Sequence, residues 1–295
     1  MTPVSDGTKA CLQAELLDNT AINEEIFRLE FIWNGPVPQA GQFFMIHPRR
    51  SSLFLSRPIS MALWDPAAED NTYITNKGGG KKNPYVRFLA AQRLNSNTVI
   101  FLIARRGKGT SELSELRAGE EAELTGPLGN TWAGFLPPGI FREGSIALVG
   151  GGIGIAPLTA LASELPEDSF DFYAGFRTGF ATIEERYGLL GAPILSLGKV
   201  VIATEDGSEG FRGRIPDFLD PARYAAVCAC GPEPMLKAVA ARCNAAGTPC
   251  FISLERRMAC GVGACLGCAA PTVNGNRRVC ADGPIFNAQD VVFDA

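Results

Sequence analysis

The run Ser145-Ile146-Ala147-Leu148-Val149-Gly150-Gly151-Gly152-Ile153-Gly154-Ile155-Ala156-Pro157-Leu158 decides how the second half of this chain folds. Residues 145–149 read as a continuous apolar strand, the kind that is buried on both faces of a parallel sheet. Glycines then permit a sharp turn, and a helical pattern follows over 157–165. Further strand candidates at 170–174, 200–204 and 225–229 are separated by helix-length segments. That rhythm predicts a doubly wound parallel sheet. The glycine turn itself has two readings. Backbone without Cβ atoms can hug a pyrophosphate at a helix start, or it can simply allow close packing, and GGGIG lacks the G-x-G-x-x-G spacing that would choose between them. Two later segments, Thr204-Glu205-Asp206-Gly207-Ser208 and Cys230-Gly231-Pro232-Glu233-Pro234-Met235, favour a ligand. Both fall at expected strand ends, where such sheets bind.

Upstream, the pattern changes near Glu143. Short β-rich runs such as 27–32 and 98–103 alternate with turn clusters such as Asn34-Gly35-Pro36 and Arg117-Ala118-Gly119-Glu120. This spacing predicts a small antiparallel barrel. The segment 65–97 carries Gly78-Gly79-Gly80-Lys81-Lys82-Asn83-Pro84 and reads as a loop inserted between two strands, its lysines a solvated turn. The expected organisation is multi-domain, β followed by α/β. An antiparallel β-barrel domain covers 1–141, a doubly wound parallel-sheet domain 142–248 and a small cysteine-bearing domain 249–295.

Four cysteines in that last part, Cys260, Cys265, Cys268 and Cys280, read C-x4-C-x2-C followed by a longer gap and a final Cys. Plant-type two-iron two-sulfur sites have this form. Such a cluster needs thiolates converging from one tight loop plus one donor from outside it, and Gly261, Gly263 and Gly267 let the loop bend and turn backbone N–H groups toward sulfur. Zinc is the competing reading, but only one C-x2-C pair exists here. The other cysteines, Cys11, Cys228, Cys230, Cys243 and Cys250, show no such clustering and are expected to be buried thiols.

With 295 residues and 46% hydrophobic content the chain has room for about two well-cored domains. The net charge is −4 and no basic stripe appears, so nucleic acid is not an expected partner. The longest apolar stretch, 146–161, is broken by glycines and Pro157 and falls short of the roughly 20 residues that cross a bilayer. No membrane partner is expected. Residues 1–10, MTPVSDGTKA, are polar with no apolar run leading to a cleavage-like site, which predicts a cytoplasmic, reducing compartment. The paired carboxylates Glu24-Glu25, Glu120-Glu121 and Glu184-Glu185 read as solvated faces, and the one histidine, His47, as a packed or surface residue. Neither a Ser-His-Asp order nor a G-x-S-x-G elbow is present, so hydrolysis is not supported.

In the barrel half, Arg57-Pro58-Ile59-Ser60 offers a charge for phosphate and a hydroxyl and N–H for a flavin edge; otherwise it is a strand end with a salt-bridged Arg. Gly107-Lys108-Gly109-Thr110-Ser111 could meet a pyrophosphate, or Thr110 or Ser111 could be a helix N-cap. Taken in order, these motifs, the glycine turn and Cys230-Gly231-Pro232 resemble the ferredoxin-NADP reductase superfamily. The segment from Glu255 to Cys268, with Val279-Cys280-Ala281-Asp282-Gly283-Pro284-Ile285-Phe286, narrows the resemblance to the electron-transfer subunits of class 1B dihydroorotate dehydrogenases.

The resemblance covers nearly the whole chain and implies an oxidoreductase subunit. An FMN-containing catalytic subunit oxidises dihydroorotate, and electrons pass through a 2Fe-2S cluster and FAD to NAD. Arg57, Pro58, Ile59 and Ser60, with Gly109 and Thr110, would hold FAD. Ile103, Ala104 and Arg105 stand where the family carries an aromatic-Arg pair, so the aromatic is lost. Gly151, Gly152, Gly154 and Pro157, with Arg177, Thr204 and Asp206, would receive NAD. Cys230, Gly231 and Pro232 would lie where nicotinamide meets flavin. Cys260, Cys265, Cys268 and Cys280 would carry the cluster on an apolar docking face, and two such subunits would flank a catalytic homodimer. A reductase subunit of the same superfamily serving ferredoxin, sulfide or transhydrogenation is the alternative. Glu205 and Asp206 would repel a 2′-phosphate and Arg212 and Arg214 would accept one, so the residues leave NAD and NADP open.

Overall fold

The computed structural model describes residues 9–48, 52–65, 97–140, 144–166, 168–197 and 199–293. The expected insertion lies, over 66–96, outside the described residues, as does Glu143. Strands β1 (Ala10–Ala21), β2 (Ile26–Ile32), β3 (Phe43–Pro48), β4 (Arg57–Asp65), β5 (Thr98–Ala104) and β6 (Glu121–Leu128) close a barrel in the order β1-β2-β5-β4-β3-β6. Every pairing is antiparallel. Closure depends on β1, whose first half pairs with β6 from Ala10 to Glu15 and whose second half pairs with β2 from Leu16 to Ala21. A register shift between Leu16 and Asp18 bends the strand from one neighbour to the other. Val99, Phe101 and Ile103 alternate into the interior, where Trp33 meets Phe44 edge-on at 5.0 Å and Phe44 meets Phe101 at 5.4 Å.

Helix α1 (Lys108–Ser114) joins β5 to β6. Beyond the barrel come β7 (Ile146–Gly151), α2 (Ile155–Glu164), β8 (Phe170–Phe176), α3 (Ile183–Leu197, kinked at Gly191), β9 (Lys199–Thr204), β10 (Phe211–Arg212), β11 (Ala226–Cys230), α4 (Glu233–Ala246) and β12 (Cys250–Ser253). The last strands are β13 (Ala269–Ala270), β14 (Arg277–Arg278) and β15 (Ile285–Asn287). The main sheet runs β10-β9-β8-β7-β11-β12-β15, parallel except for β15. Strand order reverses between β7 and β11, which opens a crevice at their carboxyl ends. Helix α2 is buried from Ile155 to Ala162 because it lies between sheet and barrel, with Ala156 against Ala62 and Leu102. Pro157 sits in its first turn, where a missing N–H removes no helical bond.

The expected boundary at 248/249 falls just ahead of β12, which is itself a strand of the sheet. The chain leaves the sheet after β12, forms the cysteine loop and the β13–β14 hairpin, and returns as β15. Its buried residues Cys268, Ala270, Val279, Cys280 and Phe286 share one apolar cluster with Phe43, Met45 and Leu128 of the barrel and Val149 and Ile252 of the sheet. Among the described residues no helix is long and apolar enough to cross a membrane. Cys11 departs from the expectation of buried thiols: it is exposed on β1, whereas Cys228, Cys230, Cys243 and Cys250 are buried. Of the paired carboxylates, Glu185 is more than a solvated side chain, since it accepts from Asn23 in the β1–β2 turn at 2.6 Å. His47 is a satisfied structural residue, its Nε2 lying 2.6 Å from the Leu53 carbonyl.

One side chain clamps the returning segment to the barrel. Asn130 Nδ2 donates to the carbonyls of Asp282 (3.1 Å) and Ile285 (2.9 Å), and its Oδ1 accepts from Ile285 N at 3.0 Å. Replacing Asn130 with Ala removes all three bonds and strands backbone groups at a partly buried junction, so about 2–4 kcal/mol of stability should be lost. A shift in the denaturant unfolding midpoint measures it, and an unchanged midpoint would show the clamp to be dispensable.

Candidate functional site

Strand β4 begins with Arg57-Pro58-Ile59-Ser60, registered against Ile46, Met45, Phe44 and Phe43 of β3. The Arg57 guanidinium lies directly over Gly109 at the start of α1, where an added Cβ would collide with it. Two motifs distant in sequence thus form one cationic corner. Arg57 also donates to the carbonyls of Leu55 and Ser56, the second at 3.4 Å. Thr110 is not the N-cap. Gly107 holds that position, and the Thr110 hydroxyl accepts from the N–H groups of Arg106 (2.9 Å) and Gly107 (3.2 Å). Ile103 points into the barrel core, which leaves only its backbone for a ligand, and Ala104 is half-buried. Arg105 is fixed by Ser114 Oγ at 3.0 Å and by the Phe27 ring at 4.6 Å.

At the crevice, the β7–α2 turn and the β11–α4 turn interlock. A Cβ on Gly154 would stand 2.5 Å from the Cys230 carbonyl oxygen, and one on Gly231, whose φ is +155°, would stand 3.0 Å from Gly151 N. Gly152 alone of this set, with φ +54°, faces open space. Pro232 caps α4, so two helix N-termini flank the opening. The Cys230 thiol is pushed up by burial and by the Glu255 carboxylate, so it stays neutral, and it hydrogen-bonds Ser253. Along the same edge Glu205 N donates to the Phe176 carbonyl and Asp206 N to the Arg177 carbonyl. The Thr204 hydroxyl donates to the Glu209 carbonyl at 2.8 Å, and the Asp206 carboxyl is held low by the Ser208 hydroxyl and N–H.

The cysteine loop is built from backbone N–H groups aimed at sulfur. Gly263 N donates to Cys280 Sγ at 3.2 Å, Cys265 N to Cys260 Sγ at 3.4 Å and Cys280 N to Cys268 Sγ at 3.4 Å. The N–H groups of Cys265 and Val262 pull the Cys260 thiol down to about 6, while burial pushes Cys280 up to about 12. Among the described residues no three ligand-type side chains converge on a point fit for one metal ion. The cysteines stand as two pairs joined through backbone N–H groups, Cys260 with Cys265 and Cys268 with Cys280. A tetrahedral zinc needs all four at one point, about 2.3 Å away, whereas a two-iron cluster spreads four thiolates over two irons. The donor set therefore fits the cluster. Val262 and Leu266 are 47% and 64% exposed on this loop, which gives it the expected apolar face.

Residues 255–292 match the family model described as the iron-sulfur cluster binding domain of dihydroorotate dehydrogenase B. The chain is 34% identical over 282 residues to the dihydroorotate dehydrogenase B (NAD(+)), electron transfer subunit of Clostridium acetobutylicum, covering 95% of this chain and 96% of that protein. The chain belongs to this family. The subunit of the same name from Clostridium perfringens is 35% identical over 286 residues, covering 95% and 98%. A solved NADH-dependent reduced ferredoxin-NADP oxidoreductase, a flavin-based bifurcating protein, shares the fold with a TM-score of 0.70 at 24% identity, covering 95% of this chain and 90% of that one. The family match takes in all four cysteines of the loop.

Sequence reasoning did not single out Asn130, Arg278, Ser253 or Glu255. Only the last three left a local signal: Ser253 and Glu255 alternate toward the crevice at the end of β12, and Arg278 and Asp282 straddle Cys280 at a spacing of four. The thiolate is the reactive form of cysteine. In the metal-free chain, alkylation of Cys260 should therefore rise with pH through a midpoint near 6, ahead of an ordinary thiol at about 8.5. Peptide mapping across pH checks this, and a midpoint at the ordinary value would show that the loop's N–H groups do not act on the sulfur.

Proposed function

We propose that this chain carries electrons from the FMN of a dihydroorotate dehydrogenase catalytic subunit, through a 2Fe-2S cluster and FAD, to NAD+, in the pyrimidine (UMP) biosynthesis of the cytoplasm. One observation carries most weight. Gly261 of the cysteine loop packs on Met45, and Met45 is the β3 residue registered against Pro58 of the flavin motif. The strand on which the cysteine loop packs is thus the paired neighbour of the flavin strand, about 5 Å from it. On the other side, Ala156 and Ile153 pack against Ala62 and Leu102 of the barrel, which brings the glycine crevice to β4 and its neighbour β5.

In this reading residues 1–141 serve FAD, 142–248 NAD and 249–295 the cluster, with β12 and β15 footing the last unit in the sheet. Arg57 to Ser60, Gly109 and Thr110 hold the flavin and its phosphates, and Ala104 and Arg105 border it. Gly109 fits that task because its bare backbone leaves room for the guanidinium. Gly151, Gly152, Gly154 and Pro157 receive the dinucleotide, and Cys230, Gly231 and Pro232 line the nicotinamide end. Glu205 and Asp206 set negative charge against a 2′-phosphate, while Arg212 lies folded along Gly207, and this favours NAD over NADP. Bound flavin supplies the exchange between one-electron and hydride chemistry. Val262 and Leu266 dock the catalytic subunit, two copies of this chain flanking a catalytic homodimer.

Purification of the intact complex should recover an FMN protein that oxidises dihydroorotate and reduces NAD+ only when this chain is present. Recovery of ferredoxin-linked partners alone would replace this reading with the reductase alternative. Two substitutions separate the cofactors. Cys265→Ser should abolish the cluster signal in electron paramagnetic resonance and leave flavin bound. Gly109→Ala should displace Arg57 and weaken FAD binding about 10- to 100-fold, the worth of one charge-assisted hydrogen bond, with the cluster signal kept.

A further inference from the structure

Arg278 ends β14 two residues before Cys280, and its hydrogen bonds reach in two directions. Toward Asp282 it gives three: backbone N to Oδ2 at 2.8 Å, Nε to Oδ2 at 3.0 Å and Nη2 to Oδ1 at 2.9 Å. Toward the cysteine loop, Nη1 donates to the Gly263 carbonyl at 3.3 Å. Gly263 is the residue whose own N–H meets Cys280 Sγ at 3.2 Å. Its φ is +84°, and a Cβ there would stand 2.9 Å from the Ala281 Cβ and 3.2 Å from Arg278 Nη1. A planar guanidinium is thus held flat by a carboxylate on one edge and grips the sulfur-facing loop with the other.

We propose that Arg278 is a positioning residue of the iron-sulfur centre, pinning Gly263 against Cys280 and raising the cluster's reduction potential with its fixed charge, which Asp282 opposes. The assignment rests on the cluster reading above. Reduction adds one negative charge to the centre, and both a nearby cation and an N–H bonded to sulfur favour the reduced form. The charged groups in this corner are Arg277, Arg278 and Asp282. Of these the Arg278 guanidinium reaches the sulfur-facing loop through the Gly263 carbonyl, whereas the Asp282 carboxylate grips the guanidinium by its Nε and Nη2. The side chains are 41% and 25% exposed, so water and salt damp the effect without erasing it.

The test uses the full chain, loaded with its cofactors and handled anaerobically, in a redox titration followed by electron paramagnetic resonance. At the wild-type midpoint, Arg278→Gln should lower the reduced-to-oxidised ratio about tenfold, equivalent to about 59 mV for one electron. Asp282→Asn should raise the ratio, and Arg278→Lys, which keeps the charge, should recover most of the potential lost in Arg278→Gln. A merely structural role would move Arg278→Gln and Asp282→Asn in the same direction, because each breaks the same fork, and that result overturns the proposal. Should Arg278→Gln fail to hold a cluster, Asp282→Asn decides alone: a rise supports the charge assignment, and a fall or no change overturns it. Wild-type protein without iron or acid-labile sulfide overturns the cluster reading and this assignment together, whereas a loaded wild type with an unmoved Asp282→Asn overturns this assignment alone.

Discussion

The cysteine loop can sit on the barrel only because one of its residues has no side chain. At Gly261, φ is +67°, and a Cβ would come within 2.5 Å of Met45 Cγ and 3.3 Å of Leu128 Cδ1. Any larger residue would lift the loop away from β3 and lengthen the gap between sulfur and the barrel. The barrel meets this constraint by burying β3 on both faces. Phe44 and Ile46 point into the barrel core, while Phe43 and Met45 join the cluster shared with the sheet and the cysteine loop. That is why an antiparallel strand reads Phe-Phe-Met-Ile with no polar alternation. Antiparallel strands ordinarily keep one face wet, and this one has a second body packed where water would be.

The glycines of the turn differ in their surroundings. Gly154, with Gly231 across the crevice, serves close packing of two strand-to-helix turns, and Gly152 lies on the open side, where a left-handed conformation leaves its backbone bare. A Rossmann fingerprint assigns such roles at fixed spacing. Here they are distributed over two turns that meet only because strand order reverses between β7 and β11. Neither turn shows the whole site in sequence.

The same distinction explains what could be read in advance. The barrel and sheet strands and α2 came from periodicity, a local property, and the candidate sulfur ligands from spacing within one loop and a single outside residue. Alternation of Val99, Phe101 and Ile103 also held the information that Ile103 faces inward, so its expected contact with a cofactor reduces to backbone. Local pattern failed where distant segments decide. Nothing near Asn130 announces that it binds Asp282 and Ile285, and the seating of β12 and β15 in the sheet is a matter of topology rather than composition. The alternative that made Thr110 or Ser111 the N-cap fails on local chemistry: the Thr110 hydroxyl satisfies N–H groups ahead of the helix from inside the first turn, a task usually read as the cap's own, while Gly107 holds the cap position.

The two sulfur pairs differ in burial, and the difference gives the centre a direction. Cys268 and Cys280 are 2% and 1% exposed and belong to the cluster that includes Phe43 and Met45, whereas Cys260 is intermediate and Cys265 exposed. A centre held by all four would have an inner half insulated against the barrel and an outer half at the surface. Around that outer half the loop keeps Leu266 exposed in a left-handed conformation, φ +59°, which costs an L residue about 1–2 kcal/mol. An isolated subunit gains nothing from a strained, wetted leucine. A subunit that receives electrons from a docked partner gains an apolar contact beside the exposed pair, where water must be expelled for two redox centres to approach, and an inner pair already dry on the side facing the barrel.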